Sequence, residues 1–305
     1  MSSPPELPDL RDTFGAIYIG VLFAAFFQGI LTVQAYIYYE SFPYDPWFLK
    51  TLVAVVWTLD LIHLGVIGSI PWNFLVVHWG NPSIFLKKSV ELCVHIILVA
   101  APTLICQGFF LHRLWRFSKK NWTLIGTLTL GSVTVFILDF YLTVNTLSSE
   151  DPNAYQHDTA EIVSMFSIGA ITDLVIALAL VWYLQRGATG FDSTNFVVTR
   201  IIQYTVATGL CSSLLAVACV IANVVKPQSF VFMALHFSLG RMYTNALLAT
   251  LNSRRNLRLA LGTKENLNTT VSTSAPVFFV SNQGTTATAA TEEYSLEGTR
   301  GGKMA

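Results

Sequence analysis

The stretch TFGAIYIGVLFAAFFQGILTVQAYI, residues 13–37, decides the fold, because it is long, apolar and free of charged side chains. Crossing the hydrocarbon core of a bilayer takes about 20 apolar residues in a helix. Backbone amides in hydrocarbon must bond within their own segment or close into a barrel. The stretch lacks the period-2 alternation of barrel strands, so it predicts a membrane-spanning helix. Six stretches of the same kind follow at even spacing. The predicted helices cover 13–38, 48–70, 89–111, 122–146, 162–184, 201–225 and 229–251. The expected fold is all-α: a polytopic membrane protein built as a seven-transmembrane-helix bundle.

Composition agrees: 53% of the residues are hydrophobic and 12% charged, against about 25% charged in soluble domains. Breakers separate the stretches: Pro43 and Pro46, Pro71 with Asn81-Pro82, Asp151-Pro152, and Pro227. Pro102 falls inside the third stretch and is expected to kink it. Met1 to Asp12 is acidic, with Pro4, Pro5 and Pro8 and no basic start, so no cleavable leader is expected. Cys93, Cys106, Cys211 and Cys219 all lie in apolar stretches, which implies buried thiols rather than a disulfide framework.

Zero net charge conceals an asymmetry. On one side lie Lys50, Arg113, Arg116, Lys119, Lys120, Arg186, Arg200, Arg254, Arg255, Arg258 and Lys264. On the other are Arg11, Lys87, Lys88 and Lys226, with the acidic connector of Glu150, Asp151, Asp158 and Glu161. The basic side reads as cytoplasmic, although the Lys87-Lys88 pair runs against the trend. The N-terminus is then outside and the C-terminus cytoplasmic. The expected organisation is an extracellular N-terminal tail (1–12), a seven-helix transmembrane domain (13–252) and a disordered cytoplasmic tail (253–305). The tail turns to Thr, Ser, Ala, Asn and Gly, too few large apolar groups to offset ordering entropy. Asn121-Trp122-Thr123 and Asn268-Thr269-Thr270 match the N-glycosylation pattern but fall on the cytoplasmic side, where they stay unmodified. The expected localisation is an integral, multi-pass protein of the plasma membrane.

Ionisable residues within the stretches carry the most information, since an unpaired charge in the bilayer costs several kcal/mol. Asp60 and His63 are three apart and Glu91 and His95 four apart, so each pair shares a helix face. Asp139, Asp173, His236 and Arg241 complete the set. Counting from the predicted helix ends gives two layers. Asp60, Asp173 and Arg241 lie near the midplane, where Arg241 is expected to pair with Asp60 or Asp173, or else to line a polar pocket or proton path. His63, Glu91, His95, Asp139 and His236 lie in the outer half and are the candidate ligand-binding residues. A metal is not expected, because no His-x-x-x-His or Cys-x-x-Cys spacing occurs. Trp47, Trp57, Trp72, Trp79, Trp115, Trp122 and Trp182 mostly sit near helix ends, as an interfacial belt does.

Several seven-helix chemistries are excluded. A retinal protein needs a lysine in the seventh helix, which has Arg241 instead. A rhodopsin-like receptor ends its third helix on an acidic-Arg-aromatic triplet and carries a cysteine between helices 4 and 5. This chain has Leu111-His112-Arg113-Leu114 and no cysteine in 147–161. Asn245-Ala246-Leu247-Leu248 also lacks the Asn-Pro-x-x-Tyr pattern of such receptors. A metal-dependent intramembrane hydrolase lacks its paired histidines.

Four motifs point elsewhere. They are Tyr38-Tyr39-Glu40-Ser41-Phe42-Pro43-Tyr44-Asp45-Pro46-Trp47 with Trp57-Thr58-Leu59-Asp60-Leu61-Ile62-His63, Gly80-Asn81-Pro82, Arg200-Ile201-Ile202-Gln203-Tyr204-Thr205 with Thr208-Gly209-Leu210, and Tyr243-Thr244-Asn245-Ala246-Leu247-Leu248-Ala249-Thr250-Leu251-Asn252-Ser253-Arg254. Over residues 14–258 the chain resembles seven-helix membrane proteins of mushroom-forming (basidiomycete) fungi, catalogued as domain-of-unknown-function family 6534. The resemblance implies a fold, a membrane and a fungal source, and transfers no functional residue. Two functions stay open. One is a receptor or sensor binding a small molecule in an outward-facing polar pocket. The other is a small-molecule or proton-coupled transporter using Asp60, Asp173 and Arg241. The lack of an internal repeat favours the first, and an enzyme ranks third. The expected partners are the lipid bilayer and a small-molecule ligand; no catalytic residue, cofactor or nucleic acid is expected.

Overall fold

The computed structural model describes the backbone of residues 11–79, 89–149, 158–186, 192–227 and 229–273, and side chains within 13–79, 89–149, 158–186, 209–227 and 229–255. Gly80-Asn81-Pro82, Lys87-Lys88, Glu150-Asp151-Pro152, the N-terminal ten residues and 274–305 lie outside the described residues. So do the side chains of Arg200, Arg258 and Lys264.

Among the described residues there are seven α-helices and no strand. They are α1 Ala16–Ser41, α2 Trp47–Trp72, α3 Val90–Phe117, α4 Trp122–Ser148, α5 Thr159–Arg186, α6 Asp192–Val225 and α7 Val231–Thr273. A π-helical turn, Arg11–Gly15, precedes α1, and a second, Asn73–Val77, follows α2. Five of the helices are long and apolar enough to cross a membrane, namely α1 to α5 with their flanking turns; α6 adds a shorter apolar segment, Gly209–Val225. At 26 to 28 residues, α1 to α5 each extend about 40 Å, more than a hydrocarbon core.

Local chemistry sets the ends. Ser89 caps α3, its hydroxyl accepting from the Leu92 amide, and the Asn121 side chain caps α4 by accepting from the Leu124 amide at 3.3 Å. Asn121, read above only as a glycosylation match, is thus a helix cap. Between α3 and α4, Lys119 and Lys120 both take positive φ, 54° and 66°, and the chain reverses over a few residues. Pro71 differs from expectation: α2 runs through it to Trp72 and widens into the Asn73–Val77 turn. A proline lacks the amide for one helical bond and crowds the carbonyl four residues back, so a break before Pro71 is the expectation. The helix also continues past the seventh apolar stretch to Thr273, so the expected boundary at residue 253 falls within a helix. Leu257, Arg258, Leu259, Ala260 and Leu261 are all strong helix formers.

Consecutive helices pack side by side from α1 through α6, with α3 also against α5. This packing lies within the compact unit Met1–Leu261. The exterior is the opposite of that of a water-soluble bundle. Ile19, Phe23, Phe26, Val33, Leu130, Ile137, Leu178 and Leu214 are exposed, whereas Asp60, His63, His95, Gln107, Asp139, Asp173, His236 and Arg241 are buried. Such an exterior is costly in water and natural in lipid. The chain is a helical membrane protein.

Helix α7 is the central element. From Phe232 to Leu251 its buried positions fall on every side of the helix. It bonds to α1 through Asn245 and Asn252, to α2 through Arg241, to α3 through His236 and to α5 through Tyr243. A helix enclosed by others has no lipid-facing side to keep apolar, so it can hold polar groups that an outer helix cannot. Small residues permit the approach: a Cβ on Gly20 of α1 would lie 2.7 Å from the Ala234 Cα, and one on Gly240 3.2 Å from Val99 of α3.

Candidate functional site

Two polar stripes run along α7. Arg241 and Thr244 are three residues apart and face α2; His236 and Tyr243 are seven apart and face α3, α4 and α5. Arg241 is wholly buried. It donates from Nη1 to the Phe237 carbonyl (2.7 Å) and to Nδ1 of His63 (2.9 Å), and from Nη2 to the Asp60 carbonyl (3.0 Å). Guanidinium nitrogens only donate, so His63 Nδ1 is an acceptor and its proton sits on Nε2. The Asp60 carboxylate takes the Thr244 hydroxyl at 2.6 Å instead. The expected link between helices 2 and 7 therefore runs through a backbone carbonyl and an imidazole rather than by direct contact of guanidinium and carboxylate.

From His63 the cluster continues across α3. The rings of His63 and His95 stack at 6.2 Å, and those of His95 and His236 meet at 5.5 Å, nearly perpendicular. His95 Nδ1 lies 2.6 Å from the Leu92 carbonyl and must donate to it. Its Nε2 is then an acceptor, and His236 Nδ1, at 3.5 Å, supplies the proton. Neutral His236 consequently presents a bare Nε2. Among the described residues no group of three or more His, Cys, Asp or Glu side chains has the arrangement of a metal site.

Asp173 of α5 belongs to a different arrangement. Its carboxylate accepts from Gln107 of α3 at 2.8 Å and from the Tyr243 hydroxyl of α7. Between this trio and the histidines is a cavity of about 40 Å³, lined by Thr103, Gln107, Asp139, His236 and Tyr243 together with apolar residues such as Val135, Met165 and Leu239. Asp139 is buried, and its Oδ1 has no hydrogen-bond partner among the described residues. Smaller cavities of about 30 Å³ flank it, one beside His95 and His236, the other beside Asp173 and Ser212.

The residues singled out in the sequence thus regroup. His63, His95 and His236 come together, and Arg241 joins them to Asp60, merging the two inferred layers. Asp139 shares a cavity with His236. Asp173 is tied to Gln107 and Tyr243 and not to Arg241. Glu91 stays apart in the first turn of α3, accepting from Ser89 (2.9 Å) and from Asn73 (3.3 Å). Counting ionisable groups overlooked Thr103, Gln107, Tyr243 and Thr244. Their signal was spacing: Thr103 and Gln107 are four apart, and Tyr243 follows His236 by seven, so each pair shares a helix face.

Residues 169–256, less than half of the chain, match a family model described as a family of unknown function (DUF6534). The matched segment contributes Asp173, His236, Arg241, Tyr243 and Thr244 to the polar centre. No curated protein and no solved structure matches the chain.

Proposed function

We propose that this chain is a receptor-like sensor of seven membrane spans, with its N-terminus outside and its C-terminus in the cytoplasm. It would bind a small molecule from the outside at the polar centre of His63, His95, Asp139 and His236. In this reading the family resemblance extends over residues 14–258, the source is a mushroom-forming fungus, and the plasma membrane is the site of action. One observation carries it: Asp139, a buried carboxylate with one oxygen lacking a hydrogen-bond partner among the described residues, lines a cavity beside the central helix. Occupation of that cavity acts directly on α7, which touches four other helices of the bundle through side-chain bonds. A ligand that binds one arrangement of α7 more tightly shifts the population toward it. The test is a thermal-shift screen, on the protein in nanodiscs, of ions and polar compounds no larger than about three water-sized groups, the size the cavity admits. A stabilising compound should lose its effect in His236→Leu; retention of the full shift in that variant overturns the reading.

Transport is the second reading, favoured by the polar series Thr244, Asp60, Arg241, His63, His95 and His236. Reconstitution in liposomes with a pH-sensitive dye separates the two. Proton or solute flux abolished by Asp60→Asn supports transport, whereas tight vesicles support the sensor.

A further inference from the structure

We propose that the Asp139 cavity is a binding site for a small monovalent inorganic cation, sodium or potassium. The inference deepens the reading of the polar centre as a binding site by naming the class of its occupant.

The first argument is the direction of the hydrogen bonds. Every donor at the cavity wall whose bond is described points elsewhere. The Thr103 hydroxyl donates to the Val99 carbonyl at 2.8 Å. The Gln107 amide nitrogen and the Tyr243 hydroxyl donate to Asp173. His236 Nδ1 donates to His95. Five polar side chains, Thr103, Gln107, Asp139, His236 and Tyr243, stand among nine apolar residues at the wall, and no described donor reaches Asp139 Oδ1. A buried carboxylate that no described donor reaches calls for an occupant that is positive or donates protons.

Charge and size narrow the choice. Among the described residues no Lys or Arg lines the cavity, and Arg241 is committed to α2 and its own helix. A buried carboxylate must be neutralised by a proton or by a cation. One carboxylate balances one positive charge, whereas divalent cations draw on more anionic oxygen ligands or on phosphate. At about 40 Å³ the space accommodates about three water-sized occupants, each needing about 10–15 Å³. An alkali cation with one or two waters fits this volume, and an organic ammonium ion of several heavy atoms does not.

The test uses the full chain in detergent or nanodiscs at constant ionic strength, with sodium or potassium chloride exchanged for choline chloride. Binding to the folded state makes Tm rise with the logarithm of cation concentration once the site fills. Asp139→Asn should abolish that dependence while keeping a cooperative transition. Thr103→Val, which removes one oxygen and keeps the volume, should weaken the apparent affinity several-fold. Glu91→Gln, at the start of α3 away from the cavity, should respond as the wild type does. Should Asp139→Asn fail to fold, equilibrium binding of radioactive sodium to wild type and Thr103→Val decides alone. A Tm indifferent to both cations, or a response unchanged in Asp139→Asn, overturns the site and leaves a protonated carboxyl. A cation response with no compound acting through His236 keeps the cation site and removes the sensor reading. A compound effect through His236 with no cation response does the reverse.

Discussion

The carboxylate of Asp45 receives the guanidinium of Arg254 at 2.6 Å, joining the connector after α1 to the middle of α7 across 209 positions of sequence. The same carboxylate oxygen accepts the Tyr38 hydroxyl at 3.1 Å, and the Arg254 guanidinium lies 4.4 Å over the Phe42 ring. Two sequence motifs therefore meet in space: the Tyr38–Trp47 stretch and the segment that closes on Arg254. The contact holds α7 at the end of the bundle opposite His236.

This latch is partly open to solvent, with the Arg254 side chain 33% and that of Asp45 9% exposed. Its coupling is therefore modest, on the order of 1 kcal/mol. A double-mutant cycle of Asp45→Ala and Arg254→Ala, read by thermal unfolding in nanodiscs, should return a coupling of that size. Arg254→Lys should not restore full stability, because an ammonium lacks the planar group that covers Phe42. Additive single mutants would show that the contact contributes nothing.

Arg241 distributes its donors over three acceptors on two helices, and a lysine cannot span them. Arg241→Lys should cost about 2 kcal/mol and Arg241→Leu more, in line with interhelical hydrogen bonds of roughly 0.6–1.7 kcal/mol each. Steric-trapping or unfolding measurements decide it. Equal stability of Arg241→Lys and wild type would mean that one positive charge, and not the fork, is what the site requires.

Two glycines predict opposite tolerance. An alanine at Gly20 would meet the Ala234 Cα at 2.7 Å and its carbonyl at 2.9 Å, so helices must separate; a loss of about 1–3 kcal/mol is expected. At Gly131 the obstacle is the Thr172 hydroxyl at 2.6 Å, the end of a side chain that can rotate. Gly131→Ala should cost less than half as much. Comparable midpoints for the two variants would contradict the close α1–α7 approach.

The proposed orientation predicts that a tag after Ala305 is reached by antibody only once the cells are permeabilised. It rests on the gathering of basic residues in the loops that include Arg113, Arg116, Lys119 and Lys120. Labelling of intact cells would invert the topology and leave the helices untouched.

The apolar stretches by themselves determined that the chain is helical and belongs in a membrane, because a run such as residues 13–37 has no other way to satisfy its amides in lipid. They also placed the helices to within a few residues, except where Pro71 was absorbed into α2, where α3 ran on from 111 to Phe117, and where α6 and α7 extended beyond their apolar cores. Spacing put Asp60 with His63 on one face. Which helix faced which was beyond the sequence, since a stripe of polar residues shows a side that turns inward and not the partner it meets. The tertiary structure decided that α7 is the enclosed helix and that Arg241 bonds to an imidazole and carbonyls. It likewise decided that Asp173 is held by Gln107 and Tyr243 and that Asp139 lines a cavity. Those choices depend on helix rotation and on hydrogen bonds between residues as far apart as 60 and 244. That information lies in the packing of the bundle and not in any one segment.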